Sequence, residues 1–253
     1  MNAQQSPGGA RFGNRLVVIG LLVAMASAAA MIFSGIGYRL ELYHFRTGFA
    51  ILGWAFWSAL AGAGISVAGL VVAGGRPRKT LVAALAGITI GVAAAYVPWN
   101  FKQTAGSLPH IHDVSTDTEN PPEFVAAAKL RKPGDHPVAY DGKEVADLQH
   151  KAYADLAPLM TPASKEKVFE AAKAAFASMG MQLADADMAQ GRHEANQTSL
   201  LYGFTDDVVV RISSAADGTK VDVRSKSRVG RSDLGQNAKR IRTFLRKLQA
   251  NLG

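Results

Sequence analysis

Between residues 206 and 228 charged and apolar side chains alternate, the pattern of strands with one wet and one dry face. A strand over 206–213 sets Val208, Val210 and Ile212 on one side and Asp207 and Arg211 on the other. A strand over 219–229 sets Val221, Val223, Ser225 and Ser227 on one side. Its other side carries Lys220, Asp222, Arg224, Lys226 and Arg228. With Asp217-Gly218 as a two-residue hairpin turn, Asp207 faces Arg228, Ser213 faces Asp222, and Arg211 faces Arg224. Facing arginines repel unless carboxylates or a bound anion lie between them. Asp207, Arg211, Asp222, Arg224 and Arg228 therefore form a candidate anion site, in which planar guanidinium forks grip a phosphate, a carboxylate or an acidic sugar. Gly230, Arg231 and Ser232 extend it toward a helix start, where free N–H groups favour anions. Asp233, read as the helix cap, competes for the same groups. The same residues also describe a solvated sheet face balanced by salt bridges, with Arg224 exposed and dispensable for folding. In a hydrolase, Asp206, Asp207 and Asp222 would instead be the acid/base groups.

His110, His112 and Asp113 bring two imidazoles and a carboxylate close together in the chain, a weak metal-ligand set. A polar loop leaving the membrane is the preferred reading of them, and no metal site is assigned. Zero cysteines exclude disulfides, thiolate catalysis, Cys-ligated zinc and iron–sulfur clusters. Gly-x-Ser-x-Gly, His-Glu-x-x-His and Walker-loop signatures are missing. No cofactor is implied, and a non-enzymatic role is favoured over catalysis.

The elements that position these residues begin near residue 161. Thr161-Pro162 reads as a helix start. Val168, Phe169, Ala172, Phe176 and Met179 follow at spacings of three and four, and Gly180 ends the helix. Strand-like runs at 181–186 and 191–198 precede the hairpin. A last helix over 233–251, with Asp233 and Gln236 at capping-box spacing, carries Leu234, Ala238, Ile241, Leu245, Leu248 and Leu252 as an apolar stripe. Lys239, Arg242 and Arg246 lie opposite. Residues 161–253 thus predict an α+β layer, a four-stranded antiparallel sheet with two helices on one face. The proline-rich stretch 105–160 predicts an irregular wrapping segment with one or two short strands and a short helix at 122–129.

Residues 1–104 differ in kind. Charge-free windows at 16–38, 47–75 and 80–101 meet the requirement of about 20 helical residues for a bilayer crossing. They predict an anchor of three spans, about 16–38, 49–73 and 80–101, followed by a domain over 105–253. Arg11, Arg15, Arg76, Arg78 and Lys79 fall on one side. Arg39 and Arg46, offset by Glu41, fall on the other. The amino terminus is therefore expected in the cytoplasm and everything after residue 101 outside, with Trp54, Trp57, Tyr96 and Trp99 toward the outer interface. Gly87, Gly91 and Ala95, Gly62 with Ser66, and Gly64 with Ala68 form rows that suit a tight bundle, a homodimer or a membrane-protein partner. No span carries an ionisable residue, which counts against transport.

The run Asp206-Asp207-Val208-Val209-Val210-Arg211 is followed by Val221-Asp222-Val223-Arg224-Ser225-Lys226-Ser227-Arg228-Val229-Gly230-Arg231-Ser232-Asp233-Leu234-Gly235-Gln236-Asn237. Upstream stand Ile111-His112-Asp113-Val114-Ser115-Thr116-Asp117 and Asn120-Pro121-Pro122-Glu123-Phe124. Together they resemble the bacterial family called domain of unknown function 1499 (DUF1499), over about residues 108–250. The three-span anchor is similar to an arrangement in some members. The family has no established activity, so the resemblance implies boundaries and no catalytic role.

The net charge of +8 is uneven. Residues 224–253 hold nine basic residues and one acidic, whereas 100–223 are acidic overall. A basic helix outside the membrane argues against nucleic acid and for lipid headgroups or another polyanion. The expected protein is a binding or structural module in a bacterial inner membrane, its carboxy-terminal domain periplasmic, contacting an anionic lipid, a cell-wall component or a partner protein. An envelope hydrolase and a subunit of a membrane complex are the alternatives. A reporter active only outside the cytoplasm is expected to be active when fused after Gly253 and silent when fused after Arg78; the reverse pattern would invert the topology.

Overall fold

The computed structural model describes residues 7–74 and 77–253; Arg76, one of the five basic residues behind the expected orientation, lies outside them. The chain divides into two compact units. One runs through Thr104 and includes Leu200–Gly203, and the other comprises Ala105–Ser199 and Phe204–Gly253.

The first unit holds three helices, α1 (Pro7–Arg39), α2 (Phe45–Val72) and α3 (Arg78–Ser107). Each is long and apolar enough to cross a membrane. Small residues set the spacing between them. A Cβ on Gly62 would meet the backbone of Ala24, one on Gly87 would meet Ser66 and Leu21, and one on Gly91 would meet the Ala59 carbonyl. The rows Gly62/Ser66 and Gly87/Gly91/Ala95 are thus buried against helices of the same chain, where close backbone approach gives van der Waals packing. Gly64 has open space around it and Ala68 is exposed. Trp54, Trp57, Tyr96 and Trp99 all turn outward. Ser27 bonds Ser58 (2.9 Å) and Thr80 bonds Asn14 (2.8 Å), so these polar groups find partners inside the bundle.

The second unit contains β1 (Asp113–Ser115), α4 (Ala126–Leu130), α5 (Lys143–Ala152), β2 (Leu159–Thr161), α6 (Lys165–Ser178), β3 (Gln182–Asp187), β4 (Arg192–Thr198), β5 (Thr205–Ala215), β6 (Gly218–Ser227) and α7 (Gln236–Leu252). The sheet has six strands rather than the expected four, in the order β1-β6-β5-β4-β3 with β2 also paired to β6, all antiparallel. The two additional strands cover the free edge of β6. β1 pairs with residues 224–226 and β2 with residues 219–221, which removes an exposed row of backbone donors and acceptors. Three-residue strands carry too little alternation for a sequence to fix their position or their partner. The proline-rich stretch, for which one or two short strands and one short helix were expected, supplies β1, most of β2 and the short helix α4, and adds a second helix, α5, that was not expected.

Two helix starts also move. Thr161 closes β2, and Ser164 caps α6 by accepting from the Lys167 N–H (3.3 Å). α7 begins at Gln236, with the Asp233 carboxylate accepting the N–H groups of Gly235 (2.9 Å) and Asn237 (2.6 Å).

Val208, Val210, Ile212, Val221 and Val223 pack against Val168, Phe169, Ala172 and Phe176 of α6 and Ala238, Ile241, Phe244 and Leu248 of α7. Both long helices therefore share one sheet face. On the other face Val209 packs with Phe124, Ala127 and Val138. This core is continuous without the spans. Residues 105–253 expressed alone are expected to give one cooperative thermal transition by circular dichroism; a gradual loss of signal would mean that the spans belong to the core.

Candidate functional site

The charged hairpin face does not lie open. Its loop is Ala216-Asp217, one residue earlier than expected, and Ala215 pairs with Gly218. Gly218 has φ +131°, and a Cβ there would strike the Thr161 carbonyl and Pro162, so glycine serves as the closing residue rather than within the turn. The pairing shifts by two residues. Faces are preserved and partners change, so Arg211 stands opposite Asp222, Asp207 opposite Lys226, and Arg224 opposite Val209. The expected Arg211–Arg224 repulsion does not arise.

The segment from Asp113 to Asp141 covers this face. Asp113, Asp207, Asp222, Arg224 and Lys226 are all buried, so the expectation of an exposed Arg224 is corrected. Arg224 Nε donates to Asp113 Oδ1 (2.9 Å) and Nη2 to Oδ2 (2.8 Å), a bidentate pair. Its remaining N–H groups reach the carbonyls of Pro122 (3.1 Å) and Val138 (2.9 Å). The guanidinium also lies 4.9 Å from the Phe124 ring centroid and 5.3 Å from that of Tyr140, a cation–π arrangement. Lys226 Nζ donates to the Ala139 carbonyl and to Asp141 Oδ1, each 2.6 Å away, and lies 3.1 Å from Asp113. Burial, followed by the neighbouring Asp113 charge, pushes the Tyr140 hydroxyl up to about 12.

The other site residues are engaged in the same way. Asp207 takes both forks of Arg228 (2.7 and 3.0 Å) and Arg131 (3.0 Å). Arg228 also donates to the Leu130 carbonyl. Asp222 accepts Arg211 (2.8 Å), which also reaches Asp117 (3.2 Å) and the Asn120 carbonyl (2.9 Å). Asp206, the remaining acid/base candidate, holds Arg240 at 2.6 Å. Glu194, which nothing in the sequence singled out, accepts the N–H groups of Val125, Ala126 and Ala127 (2.7–3.0 Å) at the start of α4. A buried carboxylate there compensates both the orphan donors and the positive helix end.

Gly230, Arg231 and Ser232 lie apart from that layer, in the β6–α7 link. The Gly230 carbonyl meets His136 Nε2 (2.9 Å), and Arg231 is exposed. The helix-start N–H groups offered to an anion are bound by Asp233, as noted above. Of the weak metal set, Asp113 is committed to Arg224 and Lys226, and His110 is exposed. His112 stacks on His136 at 4.0 Å and lies 3.2 Å from Asp141. Among the described residues no group of three His, Asp or Glu is arranged to hold a metal ion.

Two shallow depressions flank α7. One is lined by Met179, Gln197, Lys239, Arg240 and Lys247, and the other by Asp155, Leu156, Arg242, Leu245 and Arg246. Arg242 is paired with Asp155 (2.6 Å) and Arg240 with Asp206. Lys239, Arg246 and Lys247 have no ion-pair partner among the described residues.

A family model described as a protein of unknown function, DUF1499, matches residues 113–248. The chain belongs to the DUF1499 family. No curated protein and no solved structure matches it. The DUF1499 match opens on Asp113, the partner of Arg224, and runs to Leu248 in the α7 stripe.

Two outcomes are expected from this charge layer. Arg224→Ala in the 105–253 fragment strips buried Asp113 of its bidentate partner and leaves the Pro122 and Val138 carbonyls without their donor, and breaking such a buried pair costs about 3–5 kcal/mol. Val223→Ala, a small cavity, costs about 1–3 kcal/mol; urea unfolding would reveal whether the arginine is the worse loss. The second outcome concerns pH. Burial and then the His136 charge lower the His112 pKa, and burial lowers that of His193. Their contribution to stability is complete above the ordinary histidine value of 6.5. It is lost as the pH falls from there through the lowered folded values, because the unfolded chain binds protons first. Melting points between pH 8 and 5 should fall with acid, and less steeply for His112→Asn/His193→Gln; an identical slope in that double variant would refute the assignment.

Proposed function

We propose that this protein is a membrane-anchored binding module of a bacterial envelope, with its amino terminus in the cytoplasm and residues 105–253 in the periplasm. Its ligand-facing surface is the exposed side of α7, which meets an anionic envelope component. One observation carries this reading. The hairpin charges neutralise one another inside the fold, whereas Lys239, Arg246 and Lys247 keep their charge at the surface without a counter-ion among the described residues. Arg231, from the candidate anion set, is also exposed and has no ion-pair partner among the described residues. Asp207, Arg211, Asp222, Arg224 and Arg228 serve on this reading as the scaffold that holds the domain together. Shallow depressions suit a broad charged surface more than a small enclosed substrate, since small-molecule sites are normally concave and mostly apolar. Electrostatic attraction of this kind is screened by salt within about 8–10 Å.

Vesicles containing phosphatidylglycerol serve as the probe anion. The 105–253 fragment is expected to bind them at low salt and release them at high salt. At about 1 kcal/mol per basic residue near an anionic surface, Lys239→Glu/Arg246→Glu/Lys247→Glu should weaken binding by a factor on the order of 100 or more. Binding unchanged by the triple substitution would remove α7 as the contact surface.

A further inference from the structure

The turn between β4 and β5 has a composition out of keeping with a solvated hairpin tip: Leu200-Leu201-Tyr202-Gly203. Turns are ordinarily polar, yet Leu200 is 88% exposed, the largest exposure of any large apolar side chain described. These four residues also group with the candidate spans in the first compact unit. Within that unit the Tyr202 hydroxyl lies 2.9 Å from Ser34 Oγ, and its ring centroid is 5.4 Å from that of Phe49. Leu201 sits where a Cβ on Gly35 would be, so only glycine admits it. Arg39 Nη1 donates to the Leu200 carbonyl at 2.5 Å.

Ser34 precedes Arg39, the last residue of α1, by five positions, or about 7.5 Å along a helix. Tyr202 thus meets α1 about that far below the charged end of the span. Around it Phe33, Ile36, Leu40 and Leu42 are exposed apolar residues of the same helix end and link. An arginine that caps a carbonyl at the charged level, a tyrosine with its ring on apolar neighbours, and leucines in the same turn match the side-chain distribution of a bilayer interface.

We propose that Leu200–Gly203 is a fourth membrane-contacting element, an interfacial turn whose Leu200 side chain enters the lipid acyl region. Three crossings put the α1–α2 link and the end of α3 on one membrane face, and the turn must lie on that face. The proposal is independent of the α7 surface, because it needs neither anionic lipid nor low salt.

The chain has no cysteine, so Leu200→Cys in the full-length protein offers a single labelling site. With a nitrobenzoxadiazole label in neutral phosphatidylcholine vesicles, emission should be blue-shifted and quenched several-fold more by acyl-chain nitroxide lipid than the same label at Asp217→Cys, in the exposed turn of the other hairpin. Equal quenching at the two positions would overturn the proposal. Should Leu200→Cys fail to insert, hydrogen exchange of the unmodified protein in the same vesicles decides. Amides of 200–203 are expected to exchange at least tenfold more slowly than those of 216–217, and equal rates would refute the interfacial turn.

Discussion

The carboxy-terminal unit depends on the buried pair of Asp113 and Arg224. Neither charge tolerates an apolar interior unless its full hydrogen-bonding capacity is met. The pair approaches that condition by recruiting the Pro122 and Val138 carbonyls and the rings of Phe124 and Tyr140. To supply those groups, residues 113–140 must lie along the back of β6 and β5. The path of a proline-rich segment with little regular structure is thereby dictated by the donors of one arginine. Lys226 repeats the constraint one pleat further along, through Ala139 and Asp141, and Asp207 repeats it through Arg131. Such a layer adds less to net stability than its number of ion pairs suggests, because desolvation offsets most of the attraction. It does specify one register, since any slip would strand a buried charge.

That constraint bears directly on function. Residues whose types suit anion binding or acid/base chemistry are consumed by folding, and their spacing in the sequence resembles that of a site because both tasks need guanidinium forks facing carboxylates. On the reading proposed above, a ligand would meet the surface that the layer does not reach. On α7 the apolar stripe faces the sheet, while unpaired cations face away. The same fold therefore separates two populations of charge, one enclosed and neutralised, the other exposed and available.

The amino-terminal unit obeys the opposite rule. Among the described residues its candidate spans hold no buried ion pair, and its helices approach through Gly62, Gly69, Gly87 and Gly91, where a Cβ would meet neighbouring backbone or side chains. For helices that cross a membrane there is little apolar driving force between them, so close packing and a few hydroxyl bonds would carry the association. Small residues that are unremarkable in an alanine-rich sequence become the contact surfaces themselves, and only Gly64 and Ala68 of the rows are left facing out.

Much of this was legible in the residues. The three long apolar helices and the α6 stripe follow from periods and charge-free lengths that local geometry imposes. β3 to β6 were equally readable. The hairpin faces were legible from alternation, which a two-residue shift in register leaves intact. The register itself was not, because it turned on whether Gly218 lay in the turn or closed it, and the reason lies in Thr161 and Pro162, remote in sequence. Nor could local pattern place β1 and β2 or name their partner, since their three residues pair only because β6 has a free edge, or reveal Glu194, whose role requires α4 to start beside it. Sequence by itself determined which segments are apolar, which are paired by period, and which side of each strand carries charge. Tertiary structure alone decided that the charged side is an interior, since burial of an arginine depends on carbonyls and a carboxylate about a hundred residues away, and no local signal reports a partner at that distance.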